Sequence, residues 1–249
     1  MLLNEIFAQL ADGELSQTHL NAIDTTPKIS QVVNHLNLGL ADLFKRFFLR
    51  EGRLMVQLLE NQYLYPLDLY HAVSNTDSAV PLDKRFILDS PGALFANDLL
   101  KIEKVLTPAG FALALDDGHD KWALTTTDTK PPTLRVPAGI INQSLELPDE
   151  LKTTQLEVVY RARHPKIDVG APGFSAAAYE VMIPDSHLQA LLYYVASRVL
   201  APLGMGQAEG ITSTNYWKRY ELECASLTNT GARLQRIEGF DRLRDRGFA

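Results

Sequence analysis

The chain has 249 residues, 46% apolar and 22% charged, enough for a sizeable core in one large domain or two small ones. A net charge of −6 argues against a protein that grips nucleic acid by its phosphates, which calls for a basic excess or stripe. The single cysteine, Cys224, excludes an internal disulfide, as expected of a protein made in a reducing cytoplasm, and no run approaches the roughly 18 apolar residues of a membrane span.

The opening residues Met1-Leu2-Leu3-Asn4-Glu5 lack the basic and long apolar stretches of a secretory signal. A short helix is predicted from about Leu3 to Ala11, ending near Gly13. Residues 28–50 predict a longer one, because Ile29, Val32, Val33, Leu36, Leu40, Leu43, Phe44 and Phe47 recur at spacings of three and four. Thr26 is the expected N-cap with Pro27 at the first helical position, and Gly52 is placed to stop the helix.

From Arg53 to Ile183 the helical period disappears. Short alternating segments predict strands at Leu54–Leu59, Leu100–Val105, Phe111–Leu115, Thr133–Val136, Gln155–Arg161 and Tyr179–Ile183. In the fifth, Leu156, Val158 and Tyr160 face a core while Gln155, Glu157 and Val159 face away. Asp117-Gly118 is a hairpin signal, and Pro131-Pro132 and Gly170-Ala171-Pro172-Gly173 mark further turns.

The helical period returns from about Asp185 to Ala201, with Leu188, Leu191, Leu192, Val195 and Val199 in one stripe, closed by Pro202 and Gly204. A helix from about Ser213 to Leu227 follows, with Trp217, Tyr220, Cys224 and Leu227 on one face and Arg219 and Glu223 four apart on the wetter side. These stripes need partners, and packing the two helical blocks together satisfies both. The expected fold is therefore α+β, a helical bundle built from both chain ends (1–52 and 184–231) with an inserted antiparallel β-sandwich or small barrel (53–183). Residues 232–249 mix arginines with Leu234, Ile237, Phe240 and Leu243, and read either as a loosely ordered tail or as a docking tail that orders on a partner.

No catalytic, cofactor or metal site is expected, and the chain is read as a non-enzyme. The six histidines form no local zinc spacing, and Asp116-Asp117-Gly118-His119-Asp120 lacks the spacing of an EF-hand loop and reads as a polar turn. Gly204-Met205-Gly206-Gln207-Ala208-Glu209-Gly210 has its third glycine one place too late for a dinucleotide fingerprint and follows a helix instead of a strand. Cys224 lies on an apolar helix face and reads as a core residue. Asp116/Asp117 and Asp149/Glu150 fall in turns, and the basic run Arg161-Ala162-Arg163-His164-Pro165-Lys166 reads as a solvated strand end.

Several stretches carry a family resemblance: Leu3-Asn4-Glu5-Ile6-Phe7, Gly13-Glu14-Leu15-Ser16-Gln17, Asn37-Leu38-Gly39-Leu40 running into Arg50-Glu51-Gly52, and Ala72-Val73-Ser74-Asn75-Thr76-Asp77-Ser78. Others are Ile87-Leu88-Asp89-Ser90-Pro91, Leu100-Lys101-Ile102-Glu103-Lys104-Val105, Val159 to Ile167, and Ile183-Pro184 leading into Tyr194 to Val199. Over roughly residues 3–230 the chain resembles the head-to-tail adaptor (connector) proteins of short-tailed bacteriophages. The resemblance implies a homo-oligomeric ring of twelve copies in the virion neck, made in the host cytoplasm, docked on the portal protein and bearing the tail nozzle or tail tube. DNA passes through its lumen without specific binding, and no membrane is involved. The tail matches nothing in that pattern. Its Arg233, Arg236, Ile237, Phe240, Leu243 and Arg244 are assigned to portal binding on their charged-apolar mix and terminal position. The competing readings are a tail-tube or nozzle subunit, a hydrolase with a fold-assembled site, and a monomeric β-sandwich binding module.

Overall fold

A computed structural model describes residues 1–16, 18, 20–77, 80–90, 92–127, 129–201 and 214–230. The fold is α+β with antiparallel sheets, and the chain divides into two compact units: residues 1–47 with 166–249, and residues 48–165. Among the described residues, no helix is long and apolar enough to cross a membrane.

The first unit holds α1 (Leu3–Asp12), α2 (Thr26–Arg46), α4 (Asp185–Leu200) and α5 (residues 214–230). The apolar stripe of α2 is buried at Val32, Val33, Leu36, Leu40, Leu43 and Phe44. Its cap residue is Thr25 and not Thr26, and the helix stops at Arg46, four residues earlier than its pattern predicts. Helix α4 is buried around most of its circumference, including Ala190, Tyr194 and Ala196 outside the predicted stripe, which makes it the unit's central helix. Gly39 lets α2 and α4 approach: a β-carbon there would lie 2.8 Å from Leu191 Cδ1 and 2.9 Å from Tyr194 Cδ1.

Residues 166–183, expected among the strands, belong to this unit. Tyr179–Ile183 forms no strand. It makes a single bridge, Leu2 to Glu180, with Leu3 N donating to Tyr179 O at 2.9 Å and Val181 N to Met1 O at 2.9 Å.

The described residues of the second unit hold strands β1 (Glu51–Gln57), β2 (Leu64–Pro66), β3 (Ile87–Leu88), β4 (Leu99–Leu106), β5 (Ala112–Leu113), β6 (Thr125–Thr127), β7 (Thr133–Arg135) and β8 (Gln155–Ala162), and the single-turn helix α3 (Ala138–Ile141). One sheet runs β3-β1-β8-β4-β5 and the other β2-β7-β6. Both feed one apolar core that includes Leu54, Val56, Tyr65, Phe86, Leu134 and Leu156. In β8, Leu156, Val158 and Tyr160 are buried as the alternation predicts, but Val159 on the opposite face is also only 6% exposed.

Asp117-Gly118 does not close a hairpin. Strands β5 and β6 belong to different sheets, and the loop carries the chain from one to the other through a parallel bridge between Leu115 and Leu124. Asp116, with φ of 55°, turns its carboxylate onto the edge strand β6 and accepts from Thr126 N and Thr126 Oγ1, each at 2.7 Å. At the other edge of that sheet Pro66 has no N–H to offer, and Gln62 Nε2 donates to Leu64 O at 3.1 Å. Both edges are thus closed against strand addition.

Candidate interaction surface

Helix α5 joins its unit through a polar anchor. The face expected to be uniformly apolar divides: Tyr220 and Cys224 are buried, Leu227 is half-buried and Trp217 is 41% exposed. The Tyr220 hydroxyl donates to Asp42 Oδ2 on α2. One turn on, Arg46 places Nη1 and Nη2 on the two Glu221 oxygens at 2.8 and 2.9 Å, and Nε on Asp42 Oδ2 at 2.8 Å. Its guanidinium also covers the Tyr220 ring, 5.2 Å from the centroid.

The electrostatics follow from this packing. Hydrogen bonding to Glu221 outweighs burial and holds Arg46 more firmly protonated than a free guanidinium. Burial first, then the bond to Asp42, pushes the Tyr220 hydroxyl up, so it stays a donor. Burial also raises the Cys224 thiol, which keeps it protonated at neutral pH and unsuited to nucleophilic attack.

Outside the anchor lies a layer of aromatic rings and arginines. Arg219 was expected beside Glu223; its guanidinium instead sits 5.9 Å from the Tyr193 ring and 5.6 Å from the Tyr216 ring, which are themselves 6.1 Å apart. On α4, Arg198 covers Tyr194 at 5.7 Å, and Trp217 tilts against the same tyrosine at 6.1 Å. Trp, Tyr and Arg dominate the energetics of protein interfaces, because each buries a large area with few rotatable bonds or a planar set of donors. The doublets Tyr193-Tyr194 and Tyr216-Trp217 were the sequence signal for this layer. Periodicity alone assigned only Trp217 to a face and did not bring the two helices' rings together.

The other sequence candidates resolve differently. The thiol of Cys224 and the turn at His119, whose N–H donates to Asp117 Oδ1 at 2.9 Å, serve local structure. The basic run is not a simple solvated strand end: Arg161 pairs with Glu103 at 2.6 Å, Arg163 N donates to Asp98 O at 2.7 Å, and His164 is buried. Asp149 opens a 3-10 turn and pairs with Lys152. Among the described residues, no group of three or more His, Cys, Asp or Glu is placed to hold a metal ion. Arg233, Arg236, Ile237, Phe240, Leu243 and Arg244, and the glycine run 204–210, lie outside the described residues.

A concavity of about 480 Å³ in the second unit is lined by Arg53, Asp89, Ser90, Leu94, Glu157 and Tyr160 among others. Its polar groups already serve the fold. Arg53 pairs with Glu157 at 3.1 Å, Asp89 accepts from Ser74 N at 2.8 Å and Phe95 N at 3.2 Å, and Tyr160 donates to Asp98 at 2.9 Å.

No family model matches the chain, and no curated protein matches it in sequence.

Proposed function

We propose that the chain is a structural subunit of a tailed-phage neck, a head-to-tail adaptor that forms a ring between the portal and the tail nozzle or tube. In this reading the helices from both chain ends form a bundle, residues 48–165 form an inserted β-sandwich, and DNA travels through the lumen without specific contacts. The observation that carries the proposal is the surface around Trp217 and Arg219: an exposed Trp and two exposed arginines set against buried and half-buried tyrosines, beside an ion-paired anchor. Such an array is suited to binding protein surfaces. The family resemblance of residues 3–230 supplies the kind of assembly, and the modest acidity of the chain suits a channel that repels phosphate. Strong helices weigh against the tail-tube alternative, which is dominated by β-structure.

The residues that follow α5 carry the charged-apolar tail, and the proposal assigns Arg233, Arg236, Ile237, Phe240, Leu243 and Arg244 to the portal. Co-sedimentation with assembled portal tests this. Full-length chain is expected to sediment with the portal, and a chain cut after residue 231 is expected to remain in the supernatant. Equal binding by both chains would remove the tail from the proposal.

A further inference from the structure

We propose that the free edge of β1 at Glu51–Arg53 receives an extended segment of a partner protein as an added strand, with one apolar and one basic side chain of that segment seated beside it. The inference stands on this edge alone and does not depend on the ring reading.

The edge is created by the strand register. On one side β1 pairs along its whole length with β8, residues 51–57 against 155–161. On the other it meets β3 only at Met55 with Leu88 and Val56 with Ile87. Gln57 N donates to Phe86 O at 2.7 Å, so the main-chain groups of every second residue back from 57, including 53 and 51, point to the β3 side. The next partner in that register is Ser90, opposite Arg53. Ser90 is engaged elsewhere: it exchanges main-chain bonds with Ala93, at 2.9 and 3.4 Å. Among the described residues, the N–H and C=O of Glu51 and Arg53 are left without a main-chain partner on this side, and both residues are exposed. The smaller sheet closes its edges with Pro66 and Asp116; this edge offers donors and acceptors at strand spacing, which is what strand addition uses.

The concavity of about 480 Å³ lies along the same edge, with Arg53, Met55, Leu88 and Ser90 in its lining. Its polar side chains are committed to the fold, so the main chain is what remains to bind. Alternation then sets what an added strand must carry. The residue opposite Gly52 points to the face on which the Tyr160 ring covers that glycine. The Phe95 ring lies 6.4 Å from Tyr160, and Leu94 in the same concavity is 62% exposed. An apolar side chain fits there. The residues opposite Glu51 and Arg53 point to the other face, where Arg53 is held between Glu51 at 2.8 Å and Glu157 at 3.1 Å. Asp89 adds a third carboxylate, which forms no ion pair among the described residues. Three carboxylates against one guanidinium select a basic side chain.

The probe is a synthetic peptide, acetyl-Thr-Val-Thr-Lys-Leu-Lys-Thr-Val-Thr-amide, added to the 15N-labelled full-length chain and followed by amide NMR. Saturable shifts are expected at Glu51, Arg53 and Leu94. The same peptide with both lysine amides N-methylated loses the main-chain bonds, and a peptide with glutamates for the lysines loses the charge match. Each is expected to bind at least about tenfold more weakly. A Leu94→Asp chain, its fold checked by circular dichroism, is expected to bind the first peptide at least about fivefold more weakly. Absence of saturable shifts at Glu51 and Arg53, or unchanged binding in any of the three comparisons, would overturn the proposal.

Hydrogen exchange of the free chain gives a reading that needs no ligand. The Arg53 amide is expected to exchange at least about a hundredfold faster than that of Leu54, which faces β8. Equal protection of the two amides would show that the edge is already closed. Arg53 protection that rises with protein concentration would put a second copy on the edge and overturn the choice of occupant.

Discussion

Gly52 lies beneath the ring of Tyr160, its partner across the β1–β8 ladder, so closely that a β-carbon at 52 would stand 2.2 Å from Tyr160 Cζ. The ring cannot swing aside freely. Its hydroxyl donates to Asp98 Oδ1 at 2.9 Å, and Asp98 also meets Arg50 at 3.3 Å. Tyr160 and Asp98 are both buried, so displacing the ring leaves a carboxylate short of a donor.

Gly52→Ala is therefore expected to cost about 2–4 kcal/mol in urea unfolding. The same substitution in a Tyr160→Ala background is expected to cost under about 1 kcal/mol, because the clash is gone. Equal costs in both backgrounds would show that the ring is not the obstacle.

Asn37 performs the corresponding task in the first unit. Its side-chain amide donates to Ile167 O and accepts from Ile167 N, both at 2.9 Å, so one residue of α2 satisfies both backbone groups of a buried position. Asn37→Leu is expected to destabilise the protein by about 1–3 kcal/mol, since two backbone groups lose their partners at once. A change below about 0.3 kcal/mol in the same unfolding measurement would contradict this role.

Acid is expected to weaken the fold earlier than carboxylate titration alone would. Burial, then the charge of Arg198, lowers His35; burial lowers His187, which packs edge-on against Phe47; and burial outweighs the bond to Pro165 O in lowering His164. Among the described residues, the buried Nδ1 of His35 has no hydrogen-bond partner. With folded values below the unfolded value of about 6.5, the unfolded chain binds protons first as pH falls. The stabilising contribution is full above about pH 6.5 and declines below it. The melting temperature is expected to fall between pH 7.5 and 5.5, and His35→Gln to flatten part of that slope. A melting temperature that holds or rises over this interval would refute the assignment.

Sequence pattern was informative where partners are local or periodic, and failed where a distant partner sets the structure. The α2 stripe from Val32 to Phe44 was legible because every buried residue repeats the helical period. The end of α2 was not. Residues 51–57 pair with 155–161, and this ladder claims Glu51 and Gly52, so the chain turns extended at Phe47. Gly52, which looked like a helix stop, is required by Tyr160, its strand partner far along the sequence.

Strands β2, β3 and β6 escaped notice: each has only two or three residues and no longer alternating segment of the sequence marks it, as 111–115 and 133–136 marked β5 and β7. The candidate surface was half-legible. Trp217 and Tyr220 were visible on one helix, but Tyr193, Arg198 and the reassignment of Arg219 from Glu223 to two tyrosine rings depend on how α4 meets α5.

The proposal that the chain is a ring-forming adaptor is tested most directly by adding the full-length protein to its assembled portal and imaging the product by electron microscopy. The account expects an additional ring of density on one end of the portal, with the portal's own rotational symmetry and a mass of one chain per portal subunit. Portal particles that remain unchanged at saturating protein, or that carry chains without a closed ring, would contradict it.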